Sequence, residues 1–127
     1  MPYVDGFVLP LPKRNLKTYR RLATKAGKIW REHGAVDYWE CVADDVKAGN
    51  VASFPRSVRL KSGETVLFAW IVFKSRAHRD QVNAKVIADP RLAEMMDAKV
   101  MPFDTKRMIY GGFKPLVRVP HSSSQRT

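Results

Sequence analysis

Two histidines and a carboxylate are the side chains with which this chain could move a proton. Imidazole titrates near neutral pH, and a neighbouring carboxylate can orient or share its proton. His33, with Asp37 and Glu40 close to it in sequence, and His78 are therefore candidates for acid–base chemistry. Each has a structural role open to it as well. His33 falls at the end of a helical pattern, where a protonated ring is favoured by the carbonyl end of the helix. His78 falls in the first turn of another, where positive charge is disfavoured and a neutral ring facing the core or a cavity fits better. The third histidine, His121, sits near the end of the chain. The carboxylates show no calcium-loop spacing and the glycines no phosphate loop, so neither metal nor cofactor is expected. Cys41 has no basic neighbour in sequence to lower its pKa, which reads as an inert strand thiol.

Aromatic side chains are the richest material for binding. Small-molecule pockets are lined mainly by apolar and aromatic groups with a few polar ones. Trp30, Tyr38, Trp70 and Tyr110 are the candidate ligand contacts, with His33, Glu40 and His78 as the polar members. Gly111-Gly112 lies inside a strand pattern, where glycine permits a bulge or a close backbone approach.

The elements that must position these groups follow from periodicity. Tyr3 to Leu9 is rich in β-branched and aromatic residues and is stopped by Pro10 and Pro12, which predicts a strand. Leu16, Tyr19, Ala23, Ala26, Trp30 and His33 recur at helical spacing, so Lys13 to His33 is a helix, with Gly34 as its left-handed cap. Ala35 to Val42 predicts a second strand and Thr65 to Phe73 a third. An edge segment that pairs weakly is placed between Val51 and Leu60. Ser75 caps a helix that runs to Asp89, and Pro90 opens a short one carrying Leu92, Met95 and Met96. Arg107 to Phe113 is the last strand. Residues 1–118 thus read as one domain and 119–127 as a disordered tail.

Strand, helix, strand, strand, helix, strand is the split βαβ order of a ferredoxin-like α+β domain with an antiparallel sheet. Two helices cover one face of such a sheet. Alternation on a half-solvated sheet would make the other face polar, yet Phe68, Trp70 and Val72 oppose Leu67, Ala69, Ile71 and Phe73. Leaving large apolar groups in water forgoes about 1.5–3 kcal/mol each. A second copy of the sheet is the simplest cover, so Phe68, Trp70 and Val72 are expected at a homodimer interface.

A net charge of +11 on 127 residues raises nucleic acid as a partner. Phe68-Ala69-Trp70-Ile71-Val72-Phe73 resembles part of an RNA-binding strand motif, but Leu67 and Val66 stand where that motif has glycine and a basic residue. The charge lies instead on the first helix, where positions 14, 17, 21, 25 and 28 share a face. That face is read as solvated, with an interaction module for nucleic acid or an acidic partner as the alternative. The first ten residues lack a secretory pattern, no segment approaches a membrane span, and the single cysteine suits a reducing compartment. A cytoplasmic protein without a membrane partner is expected.

Several strings carry a resemblance: Pro2-Tyr3-Val4-Asp5-Gly6-Phe7, Trp30-Arg31-Glu32-His33-Gly34-Ala35, Glu40-Cys41-Val42-Ala43-Asp44-Asp45, Ser53-Phe54-Pro55, Lys74-Ser75-Arg76-Ala77-His78-Arg79-Asp80 and Met101-Pro102-Phe103-Asp104, which leads into Lys106-Arg107-Met108-Ile109-Tyr110-Gly111-Gly112-Phe113. Together they resemble the YbaA-like bacterial proteins over nearly the whole chain, to about Val117. The resemblance implies the dimeric α/β-barrel superfamily, in which two ferredoxin-like sheets face each other and a cavity often lies between sheet and helices. It brings no single activity, since that superfamily includes cofactor-free monooxygenases, isomerases, haem proteins and plain ligand binders.

Overall fold

Thr-Val-Leu-Phe-Ala-Trp-Ile-Val-Phe places a β-branched or bulky side chain at almost every position and forms the core of strand β3, Glu64–Phe73. The computed structural model describes residues 1–47, 52–97 and 101–121. Strand β1, Tyr3–Pro12, pairs antiparallel with β3 along its whole length, from Tyr3 opposite Phe73 to Pro12 opposite Glu64. β2, Asp37–Val42, lies outside β3, and β4, Ile109–Phe113, outside β1, which gives the sheet order β2-β3-β1-β4. Helices α1, Leu16–Glu32, and α3, Arg76–Ile87, cross one face of this sheet. Two short helices, α2 at Phe54–Ser57 and α4 at Pro90–Met95, and single 3-10 turns at Lys13–Asn15 and Thr105–Arg107 complete the order. The α+β fold expected from the sequence is the fold observed.

Several expectations on boundaries change. The last strand, expected from Arg107, starts at Ile109, because Thr105–Arg107 form a 3-10 turn capped by Asp104, and the second, expected from Ala35, starts at Asp37. β1 runs through Pro10 and Pro12 instead of stopping before them. The Lys13 amide donates to the Gly63 carbonyl, and antiparallel alternation then turns the nitrogens of residues 12 and 10 away from β3. β4 pairs with β1 only as far as Val8, so no ladder hydrogen bond is lost there. The helix expected from Lys13 opens as a 3-10 turn and becomes α-helical at Leu16. Of the expected edge segment, Val51 lies outside the described residues, and residues 54–57 form a helical turn. Ser53 Oγ accepts the Arg56 amide as its cap, and Pro55 suits the first turn. Residues 122–127 of the expected tail also lie outside the described residues.

The helix-side core joins Ile29 of α1, Val82 and Val86 of α3, and Ile71 and Phe73 of β3; a second cluster holds Leu9, Leu11, Tyr19 and Leu67. A polar chain crosses this layer. Asp5 of β1 is buried and accepts from Arg79 Nη1 at 2.8 Å and Asn83 Nδ2 at 3.3 Å, while Asn83 Oδ1 accepts from Trp30 Nε1 at 3.0 Å. Strand β1 and both crossover helices are thereby tied at one point, and the buried carboxylate is compensated. Ser75 caps α3 through the His78 amide, and Gly34 ends α1 at φ +115°, as the sequence predicts.

On the other face Trp39 stacks on Trp70 with ring centres 5.7 Å apart, Phe68 meets Trp70 edge-on, and Phe54 meets Phe68 edge-on. Ile109 and Phe113 are exposed on the same face. No helix of the described residues lies over it apart from the single turn of α2, and none is long and apolar enough to cross a membrane.

Helix α1 approaches β2 closely because residue 27 is glycine. A β-carbon there would sit 2.8 Å from Tyr38 Cδ1 and 2.9 Å from Cε1, closer than packed carbons tolerate. Alanine is the better helix former by about 1 kcal/mol, yet overpacking at such a contact costs about 1–3 kcal/mol. Gly27→Ala is therefore expected to lower the thermal midpoint followed by circular dichroism; a raised midpoint would mean that Tyr38 is free to move aside.

Candidate functional site

Glu40 comes from the middle of β2, two residues from Tyr38, so both side chains point to the helix side of the sheet. Tyr19 reaches them from the second turn of α1. The Tyr19 hydroxyl donates to Glu40 Oε1, and the Tyr38 hydroxyl donates to Oε2 at 2.5 Å. Each carboxylate oxygen thus has one phenol and keeps acceptor capacity for another donor. Burial, together with the adjacent carboxylate, pushes both phenol pKa values far above their ordinary range, so Tyr19 and Tyr38 stay protonated donors.

This group separates two hollows. One is an apolar cavity of about 140 Å³ between the sheet and helices α1 and α4. Phe7, Leu22, Trp30, Ile71, Met95, Met101, Phe103 and Met108 are among its walls, and among the described residues Glu40 is its only charged lining residue. The other is an open groove of about 840 Å³ between α1 and the edge strand β2, lined by Arg20, Ala23, Thr24, Gly27, Lys28 and Arg31 from the helix and by Asp37 from the strand. Tyr19, Ala23, Tyr38 and Glu40 line both. Chemically, the site offers an apolar chamber with a carboxylate at one end, whose two oxygens each already accept one phenol. Among the described residues no three His, Cys, Asp or Glu side chains gather as metal ligands.

The residues singled out in the sequence divide. Trp30, Tyr38 and Glu40 meet at the cavity. His33 does not join Glu40 or Asp37; its Nε2 lies 2.9 Å from Asp89 Oδ2. Asp89 also caps α4 and accepts from Arg91, and Arg91 with His33 holds its carboxyl well below the usual range. That cluster fastens the end of α1 to the start of α4. His78 caps inward against Phe73, and its Nδ1 accepts the Lys74 amide at 3.0 Å. Neither histidine lines the cavity. Trp70 points to the opposite face, because it stands one residue out of phase with Ala69 and Ile71. Tyr110 is on the helix side but at the exposed edge, with its ring centre 6.2 Å from that of Phe7.

Sequence reasoning missed Tyr19 as a partner of Glu40, although its place on the inner helix face was legible. It also missed Arg20 and Arg31, which turn toward the groove beside the stripe at 14, 17, 21, 25 and 28. The available signal was Gly27, a glycine in mid-helix next to Ala23 that marks a close approach by β2. Gly112 follows the expected pattern: a β-carbon there would come within 2.7 Å of Tyr3 Cε2 and 2.9 Å of Arg79 Nη1.

Similarity to known proteins agrees with this architecture. Residues 2–105 match the family described as "Protein of unknown function (DUF1428)". The chain is 44% identical over 117 residues to "Uncharacterized protein YbaA" of Escherichia coli strain K12, covering 92% of this chain and 98% of that protein, and equally to its counterpart in Shigella flexneri. Among solved structures, an uncharacterized NIPSNAP domain protein from Burkholderia xenovorans superposes with a TM-score of 0.58 at 11% identity, over 94% of this chain and 99% of that one. Protein Atu4242 from Agrobacterium tumefaciens gives a TM-score of 0.54 at 19% identity over 91% and 93%. These likenesses are of fold. Matching that family over most of its length, the chain belongs to the DUF1428 family, with YbaA among its relatives.

Proposed function

We propose that the protein binds a small, mainly apolar molecule in the cavity between sheet and helices, with its one polar group turned to Glu40. The observation that carries this reading is the Glu40 carboxylate at one end of a chamber of about 140 Å³ in which, among the described residues, no other charged group takes part. An apolar cavity of ~150 Å³ holds benzene, so a single ring fits the size. A ligand hydroxyl can donate to the remaining acceptor positions of Glu40 while Tyr19 and Tyr38 fix its orientation. Should the ligand carry an acidic proton there, Glu40 is the group placed to take it, as a cofactor-independent oxygenase or isomerase would require. The histidines are less suited to that role, since His33 is paired with Asp89 and His78 with backbone. A cytoplasmic setting fits the lone Cys41.

Phenol and toluene test the reading by calorimetry, because they share a ring and differ in the donor. Phenol is expected to bind at least about tenfold more tightly, as a hydrogen bond to a charged group contributes roughly 1.5–3 kcal/mol. Glu40→Gln should narrow the gap. Equal binding of both, or none, would contradict it.

The same proposal includes a homodimer. Phe68, Trp70 and Val72 on the open face, with Trp39 and Phe113 beside them, support a second copy packed sheet to sheet, as the dimeric α/β-barrel resemblance implies. Light scattering at micromolar concentration should give twice the chain mass, and Trp70→Glu should give one chain mass with the fold intact. A monomeric wild type would end this part of the proposal. The basic stripe of α1 keeps its solvated reading, with one local exception.

A further inference from the structure

We infer that the groove and the cavity together form one two-part site for an amphipathic carboxylate, its ring in the cavity and its headgroup over Thr24 between Arg20 and Lys28. This rests on the cavity reading and names the ligand class. Arg20, Thr24 and Lys28 follow one another at four-residue spacing, about 6 Å per step along the helix, and all three line the groove. Their long side chains can converge on a group above Thr24.

The groove cations without a hydrogen-bond partner favour an anion at that position. Three carboxylates also line it, and each is occupied: Glu32 pairs with Arg91, Asp37 accepts the Tyr38 amide and Trp39 Nε1, and Glu40 accepts the two phenols. Arg31 is spent on the carbonyls of Ala35 and Val36. Among the described residues the side chains of Arg20 and Lys28 have no such partner. The groove thus holds two uncommitted cations at its outer wall and a negative carboxylate at its inner one. A neutral arm can pass Glu40, whereas an anionic head is repelled from it and held at the rim. Tyr19, Ala23, Tyr38 and Glu40 line both hollows, so the two meet at this group, and a ligand that spans them has to pass beside it.

Three probes with one body separate the parts: 3-phenylpropanoate, 3-phenylpropan-1-ol and 3-phenylpropylamine, titrated calorimetrically into the full chain at low salt. The acid is expected to bind about fivefold more tightly than the alcohol, the scale of an exposed ion pair, and the amine most weakly. Arg20→Gln combined with Lys28→Gln, both on the exposed helix face, should abolish the preference for the acid and leave the alcohol unchanged. Excess toluene should displace the acid. If alcohol and acid bind alike, or the preference survives the double substitution, the two-part site is wrong while the cavity reading stands. If the acid binds but toluene neither binds nor displaces it, the groove acts alone and the cavity reading fails too. If none of the three binds, both fail.

Discussion

A carboxylate set beneath a helix is costly unless every oxygen finds a donor, and the way Glu40 meets that demand shapes this half of the molecule. Two phenols supply the donors, one from α1 and one from β2 itself. For Tyr38 to lie flat under the helix, residue 27 must lack a side chain, and glycine accordingly interrupts an otherwise favourable helical sequence at that turn. The close approach of α1 to the edge strand, the groove outside it and the chamber inside it all follow from how this group is satisfied. Glu40 is only partly buried, and its carboxylate stays accessible from both hollows. Its presence at the end of an apolar cavity points to a use.

The opposite end of the layer is organised by a carboxylate of a different character, Asp5, which is buried where Glu40 is only partly so. Asp5 is locked by Arg79 and Asn83, and through Asn83 to Trp30, so its acceptor positions are turned inward to protein donors. Gly112 lets Tyr3 and Arg79 pass over β4 on the way. Asp5 holds elements together, whereas Glu40 faces open space. The two acids on one sheet face therefore divide into a fastening and a site.

The fold was legible because its signals are redundant. Helical periodicity, the caps at Gly34 and Ser75, Pro90 at a helix start, and the two-faced apolar strand at Thr65 to Phe73 all specify the same order. β1 escaped at its end, since the effect of Pro10 and Pro12 depends on which side of the strand β4 occupies, and that is not local information. The site was half legible for the same reason. Glu40, Tyr38 and Trp30 were found from residue type and alternation. Tyr19 was seen only as a core position, and His33 was joined to Glu40 by nearness in sequence, although the β2 turn carries them apart and brings Asp89, 56 residues on, to His33 instead. Trp70 was read both as a ligand contact and as part of a dimer interface, and the strand register puts it on the face away from the cavity.

The most direct measurement of this account is the ionisation of Tyr19 and Tyr38, followed by NMR of ring-labelled tyrosine through an alkaline titration of the folded protein. Burial and the Glu40 carboxylate raise both pKa values in the folded chain above the unfolded value of ~10. The stability linked to these phenols is then fully present below pH ~10 and is lost as pH rises beyond it, because the unfolded chain releases those protons first. Neither resonance is expected to move through pH ~10, and both should change only as the protein unfolds. A normal titration of either ring near pH 10 in the folded state would show that Glu40 is not held as described, and the site built on it would not stand.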